Sequence, residues 1–217
     1  MPEENDIIIR KFESKDRQDV RDIVHDAAFM GESAAVFFEG REVVSDALTL
    51  YFTDYEGQST FVAESLGRVV GCLTGTVNKI NSDKVTANKI APFLLRDAVF
   101  GGLFFKKKNI NFLIRLLGGI AKGEFQMPEF SEEYPATLHI NIRKEFRGRD
   151  IGSRLMNAYL DYLRKEKVPG VHLATMSEGA AKFFQKQGFK LLYSGKRSYF
   201  RHILHKDITL YIYAMEL

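Results

Sequence analysis

The chain has 217 residues, 45% of them apolar and 27% charged, a profile that suits a globular domain able to bury a sizeable core. Its 31 basic and 28 acidic residues leave a net charge of +3, without the clustered basic excess of a dedicated nucleic-acid binder, so no nucleic-acid partner is expected. A single cysteine, Cys72, excludes an internal disulfide framework and a multi-cysteine zinc site; the acidic opening MPEENDIII is unlike a secretory signal, no apolar run nears the roughly 18 residues of a membrane span, and a cytoplasmic location is expected.

In chain order, Ile7–Phe12 reads as a strand, and Ser14 offers an N-cap to a helix carrying Val20, Ile23, Val24, Ala27 and Ala28 at helical spacing. A second helix runs through Val44, Ala47, Leu48, Tyr51 and Phe52. TFVAES and Val69–Val77, joined by Leu-Gly-Arg, read as a hairpin. Residues 78–134, rich in Phe, Leu, Ile and Gly and interrupted by Lys106–Lys108 and Arg115, are expected to insert one or two amphipathic helices. Regular patterning resumes with the strand ATLHINI, the loop KEFRGRD and a helix presenting Ile151, Leu155, Tyr159, Tyr162 and Leu163, stopped by Pro169-Gly170. The strand VHLAT follows, then a short helix between Ser177 as N-cap and Gly188 as C-terminal cap. FKLLYSG and ITLYIYAMEL close the chain as strands flanking the basic, aromatic stretch KRSYFRHILHKD. There is no internal repeat.

The stretch richest in chemistry is Arg147-Gly148-Arg149-Asp150-Ile151-Gly152, between a strand and a helix. A glycine-bearing loop opening a helix aims free N–H groups and the positive end of the helix dipole at one point, which suits a phosphate or pyrophosphate. It lacks the Gly-Lys-Ser/Thr of a Walker A loop and the three glycines of the dinucleotide fingerprint.

About 35 residues on, the chain repeats strand and capped short helix, ending FFQKQGF. Arg147–Gly152 resembles motif A of the GNAT superfamily of acyl-CoA-dependent N-acetyltransferases, Arg/Gln-x-x-Gly-x-Gly/Ala. Ser177–Phe189 resembles its motif B, Asn-x-x-Ala-x-x-x-Tyr-x-x-x-Gly-Phe, and FVAESLGRVVGCLTG resembles its second and third strands. The resemblance implies an α/β (α+β) fold over 1–217: one domain whose mixed, mostly antiparallel sheet has splayed fourth and fifth strands, is flanked by helices, and carries the helical insertion between strands three and four. It further implies acetyl-CoA as acyl donor and an amine as acceptor. Backbone groups of Ile140, Asn141 and Ile142 would pair with the pantetheine arm, and the segment from Arg147 and Gly148 through Arg149, Asp150, Ile151 and Gly152 to Ser153 would hold the pyrophosphate, with Ser177 and Phe184 beside the donor.

Two positions depart from the pattern. Asp150 replaces motif A's first glycine and sets a carboxylate beside a polyanion, to be offset by Arg147, Arg149 or Arg154, or else serves as an N-cap. Phe184 replaces the tyrosine that protonates the departing thiolate; Tyr193 or Tyr199 could substitute, and a thiol of pKa about 8.5 leaves fairly well unaided. The expected reaction is direct attack by a neutral amine, with a backbone amide such as that of Ile142 at the oxyanion. His139 is the first choice of base and His172 the second, with Glu133, Tyr134 and Glu178 open. Strand alternation sets His139 out of phase with Leu138 and Ile140, so a bulge or a second face is needed for both to serve. Cys72 is expected to be a packed strand residue. For the insertion the readings, in order, are a roof over the acceptor pocket, a surface pairing two copies as a homodimer, and a membrane-surface helix, with Lys106–Lys108 a solvated turn. Acceptor specificity would lie in the insertion and in Lys196–Asp207. The rival function is a catalytically inactive acyl-CoA-binding module of the same fold.

Overall fold

In the computed structural model, which describes residues 7–217, the run IIIRK forms β1 (Ile7–Lys11) and α1 spans Arg17–Ala27; residues 1–6, most of the acidic opening, lie outside the described residues. Ser14 does not cap α1. A single tight turn at Ser14–Asp16 intervenes, and the Asp16 carboxylate accepts the Glu13 amide at 2.8 Å while Arg10 donates two bonds to it at 2.6 and 2.8 Å. An ionised carboxylate takes charge-assisted bonds that a serine hydroxyl cannot match, so the turn folds around Asp16.

Helix α2 (Arg41–Leu50) continues through a wide turn at Tyr51–Tyr55. The hairpin of β2 (Phe61–Ser65) and β3 (Arg68–Thr76) closes on Leu66 and Gly67, with φ of +50° and +77°. Positive φ at both central residues matches strand twist in a two-residue hairpin.

The insertion contains three helices, α3 (Lys79–Val85), α4 (Ala91–Phe100) and α5 (Lys107–Ala121), one more than expected. A wide turn at Thr86–Ile90 joins α3 to α4 without a polar break that the sequence could signal, and Gly102, at φ +63°, separates α4 from α5. Lys106–Lys108 therefore begins a helix. The remaining elements are β4 (Ala136–Ile142), α6 (Ile151–Lys165), β5 (Gly170–Thr175), α7 (Glu178–Lys186), β6 (Lys190–Arg197), the short α8 (Arg201–Leu204) and β7 (Ile208–Glu216).

The seven strands make one sheet in the order β1-β2-β3-β4-β5-β7-β6, antiparallel throughout except β4 with β5. Helix α1 covers one face with Val20, Ile23 and Val24 on Val62, Val69 and Cys72. Helix α6 covers the other with Leu155, Met156, Tyr159 and Leu163 against Leu73, Leu138, Val171 and Tyr213. Burial pushes the Cys72 thiol up to about 12, so it stays an inert packing group. Tyr159 is fully buried, and its hydroxyl donates to the carbonyls of Thr76 at 3.0 Å and Thr137 at 2.8 Å. A Cβ at Gly75 would stand 2.5 Å from that hydroxyl, so glycine is required there.

The root of the insertion is held by a buried carboxylate that the sequence did not single out. Glu56 accepts from the Tyr51 hydroxyl at 2.7 Å, Ser59 Oγ at 2.6 Å, Thr76 Oγ1 at 2.6 Å and the Val77 amide at 2.8 Å. Four donors replace its lost hydration and tie the end of α2 to the point where β3 gives way to the insertion. No helix among the described residues is long and apolar enough to cross a membrane.

Candidate active site

Strands β4 and β5 pair at only two positions, Ala136 with Val171 and Thr137 with His172, and then diverge. Beyond that point the β5-facing edge of β4 is open. The Arg143 amide donates to the Val70 carbonyl at 2.9 Å, and the β3–β4 register is unbroken from Gly71/Ile142 to Thr76/Thr137. Alternation of an antiparallel ladder then turns the backbone of residues 137, 139 and 141 toward β3 and that of 138, 140 and 142 toward the opening. Asn141, expected to offer backbone groups to the donor, is thus committed to β3, whereas Ile140 and Ile142 present theirs. The Ile142 carbonyl is taken by Arg147 Nε at 3.0 Å, which leaves its amide.

Side chains resolve the phase problem without a bulge. Leu138, Ile140 and Ile142 pack on the α6 side, so His139 and Asn141 project from the opposite face. Backbone in the plane of the sheet and side chain perpendicular to it let Ile140 line the opening while His139 overlooks it.

At the end of β4, Gly148 (φ +78°) and Asp150 (φ +55°) both adopt the left-handed conformation. Among the described residues the amides of Gly148, Arg149, Asp150, Ile151, Gly152 and Ser153 have no acceptor; the first internal bond of α6 runs from the Arg154 amide to the Asp150 carbonyl at 3.1 Å. Six successive unpaired N–H groups at the positive end of a 15-residue helix form an anion cradle. Gly152 lets the cradle sit close to its neighbours, since a Cβ there would come within 3.2 Å of the Phe183 ring.

Asp150 occupies the N-cap position, but its side chain makes no capping bond, so capping does not account for it. What the position demands is positive φ, which glycine meets freely and aspartate better than most. The arginines are largely committed elsewhere. Arg147 braces the loop, donating Nη2 to the Gly31 carbonyl at 2.9 Å; Arg154 donates to the Ile7 carbonyl at 2.7 Å; Arg149 bonds the Glu145 carbonyl at 3.3 Å and lies over the Phe146 ring. Ser153 Oγ accepts from Gln187 Nε2 at 3.1 Å, tying α6 to the end of α7, and Ser177 caps α7 through the Ala180 amide at 3.3 Å, as expected.

Phe184 is buried beside Phe189 at 5.8 Å, in the same core cluster that Ile140 and Ile142 of β4 pack against, because the inner face of α7 must be apolar to pack on the sheet. Tyr193 lies on β6, with β5 and β7 between its strand and β4, a separation of at least about 14 Å at normal strand spacing. Tyr199, by contrast, reaches the opening's β5 side, its hydroxyl 3.5 Å from the sulfur of Met176 just beyond β5, and burial raises its pKa.

His139 is open to water, yet the protein crowded around it lowers its pKa, as does the charge of Lys79; the Phe52 ring meets it edge-on at 6.0 Å. It is therefore a neutral imidazole at neutral pH. His172 projects from the same face, with Nδ1 donating to the Tyr134 carbonyl at 2.6 Å, and burial lowers its pKa as well. Tyr134 contributes that carbonyl; Glu133 and Glu178 are exposed.

An aromatic cluster joins the insertion to the rest of the fold. Phe200 meets Phe29 at 4.8 Å, Phe37 at 5.2 Å and Phe112 at 5.8 Å, joining the α1–α2 connection, α5 and the stretch before β7. Buried Asn109 docks α5 there, accepting from the Glu39 amide at 2.7 Å and donating to its carbonyl at 2.8 Å. Glu124 accepts from the amide and hydroxyl of Ser198. The inner face of the insertion is thus tied to the α1–α2 connection and to the stretch before β7 by single residues too dispersed to form a motif. Arg197, buried at the end of β6, donates Nη1 to the Lys196 carbonyl at 2.9 Å, and its Nη2 has no partner among the described residues.

Comparisons with known proteins agree with this geometry. Residues 111–191 match the acetyltransferase (GNAT) domain family. A search of curated proteins finds no match to the sequence. Among solved structures, SsHAT superposes with a TM-score of 0.67 at 20% identity, covering 97% of this chain and 98% of its own. A Drosophila melanogaster polyamine N-acetyltransferase, which forms N-acetylagmatine, gives 0.61 at 14% identity over 98% and 100%. A Salmonella typhimurium protein solved with its cofactor acetyl-CoA gives 0.58 at 12% identity over 98% and 95%. The fold is that of the GNAT acetyltransferases.

Proposed function

We propose that this chain, which has the GNAT fold and carries a GNAT acetyltransferase domain over residues 111–191, is an N-acetyltransferase that moves an acetyl group from acetyl-CoA directly to a primary amine of a small molecule or peptide in the cytoplasm. The observation that carries the reading is the divergence of β4 from β5 after two paired positions, beside six unpaired amides at the start of α6. An open strand edge suits an amide-bearing arm and the cradle suits a pyrophosphate, so the residues present fit the donor.

Acetyl-CoA supplies an activated thioester carbonyl. The amides of Gly148–Ser153 bind its pyrophosphate, and the backbone of Ile140 and the Ile142 amide align its arm, the latter donating to the oxygen as negative charge develops there. His139, held neutral, accepts a proton from the substrate ammonium and releases the nucleophilic amine. Tyr199, held protonated by burial and with its hydroxyl 3.5 Å from the sulfur of Met176 just beyond β5, is the group proposed to serve the departing sulfur.

A second reading, an acyl-CoA-binding module without turnover, is favoured by the carboxylate of Asp150 inside the cradle and the apolar Phe184 in the core. Incubation with acetyl-CoA and a panel of primary amines, following release of free CoA thiol, separates the two. Amine-dependent release above hydrolysis supports the enzyme; saturable acetyl-CoA binding with no transfer to any amine supports the module.

A further inference from the structure

Charge and apolar surface are concentrated together on one part of the molecule that the acyl-transfer site does not use. Residues 91–122 carry Arg96, Lys106, Lys107, Lys108, Arg115 and Lys122 against one acid, Asp97, a net +5 within a chain of net +3, so the remainder is net −2. The same segment holds the two most exposed large apolar side chains of the described residues, Phe105 at 87% and Phe100 at 85%. They flank the α4–α5 corner, and the three lysines follow Phe105 directly.

Helix α5 is apolar on two sides for different reasons. Asn109 and Phe112 face inward and dock the helix on the aromatic cluster. Ile110, Ile114, Leu117 and Ile120, at i, i+4, i+7 and i+10, form a second stripe exposed to water. The start of the helix is also electrostatically unsatisfied: its first turn has lysines, no acidic residue and no side-chain cap, which sets positive charge on the positive end of the dipole. Lys108 Nζ donates to the Ala35 carbonyl at 2.9 Å, while Lys106 and Lys107 have no protein partner among the described residues. An external anion is what this helix end lacks.

We propose that the outer face of α4 and α5 docks on an anionic lipid bilayer, with Phe100, Phe105 and the outer α5 stripe entering the headgroup boundary and the flanking cations meeting lipid phosphates. A basic amphipathic face lying in the interface plane needs this combination of apolar stripe and cationic border. No helix among the described residues is long and apolar enough to span, so the docking proposed is at the surface. A second copy of the chain fits the face less well, because two-fold pairing would set +5 against +5. Docking at this face does not depend on catalysis.

The test is co-sedimentation of the full chain with vesicles of phosphatidylcholine alone or with about 30 mol% phosphatidylglycerol, near 0.1 M and near 0.5 M salt. Binding is expected to the anionic vesicles only and to weaken at the higher salt. The Phe100→Ser/Phe105→Ser and Lys106→Glu/Lys107→Glu variants, all at exposed positions, should each partition about tenfold more weakly with unchanged melting temperature. Equal partition onto both vesicle types, no partition onto either, or full retention by both variants overturns the proposal. A lipid-free dimer in sedimentation velocity that is lost in Phe100→Ser/Phe105→Ser, without vesicle binding, overturns it too and assigns the face to a second copy.

Discussion

Asp150 offers a quantitative handle on the anion cradle. Its carboxylate belongs to the middle of the run of unpaired amides; taking a separation of about 6 Å from a pyrophosphate bonded there and an effective dielectric of about 40, between water and a protein surface, each phosphate charge is repelled by about 1.4 kcal/mol. Asp150→Asn removes the charge and keeps a residue tolerant of φ +55°, and Asp150→Gly also relieves the left-handed backbone. Titration calorimetry of acetyl-CoA at low salt should show both variants binding at least about tenfold more tightly, the gain shrinking as salt rises. Stability should move by no more than about 1 kcal/mol, because the extra backbone entropy of glycine opposes the relief of strain. Unchanged affinity at low salt in both variants would refute the placement of the pyrophosphate on Gly148–Ser153.

Three further outcomes follow from named contacts. His139→Ala should lower kcat/KM by about 10²-fold or more, and the wild-type profile should rise with pH through a pKa below the ordinary histidine value; a rise centred above that value excludes His139 as the base. Because the folded pKa is the lower one, stability due to neutral His139 is full above about pH 6.5 and is lost as pH falls, which acid titration of the unfolding free energy in wild type and His139→Ala will show. Phe184→Tyr should destabilise by about 1–3 kcal/mol in urea, since it buries a hydroxyl in the apolar core; an unchanged unfolding free energy would show that the hydroxyl reaches a partner there. Glu56→Ala leaves four donors without their acceptor and should cost about 3–5 kcal/mol, against a much smaller cost if the carboxylate were dispensable.

Much of the fold was legible because its determinants are local. The alternation of ATLHINI, the helical spacing of Ile151, Leu155 and Tyr159, and the caps Ser177 and Gly188 each act within a few residues and gave β4, α6 and α7 nearly to the residue. The splay of β4 from β5 entered through the resemblance and is visible in the register. What escaped the sequence is set by contacts distant along the chain. Asp16, not Ser14, orders the first turn because Arg10 lies across from it; three helices fill the insertion because a wide turn carries no compositional mark. The distance of Tyr193 from β4 follows from a strand order that no local signal encodes. Alternation alone did not decide the place of His139, because the backbone and side chain of one strand face different directions. Glu56 was missed since a lone glutamate before a strand has no signature until its four donors converge.

The most direct test of the donor site is amide hydrogen exchange over residues 138–153, with and without saturating acetyl-CoA. The unpaired edge of β4 and the six amides of the cradle should exchange fast in the free protein and slow by at least about tenfold on binding, while the β3-paired amides of 139 and 141 change little. Acetyl-CoA that binds and protects other segments, leaving Ile140, Ile142 and Gly148–Ser153 as they were, would contradict the account.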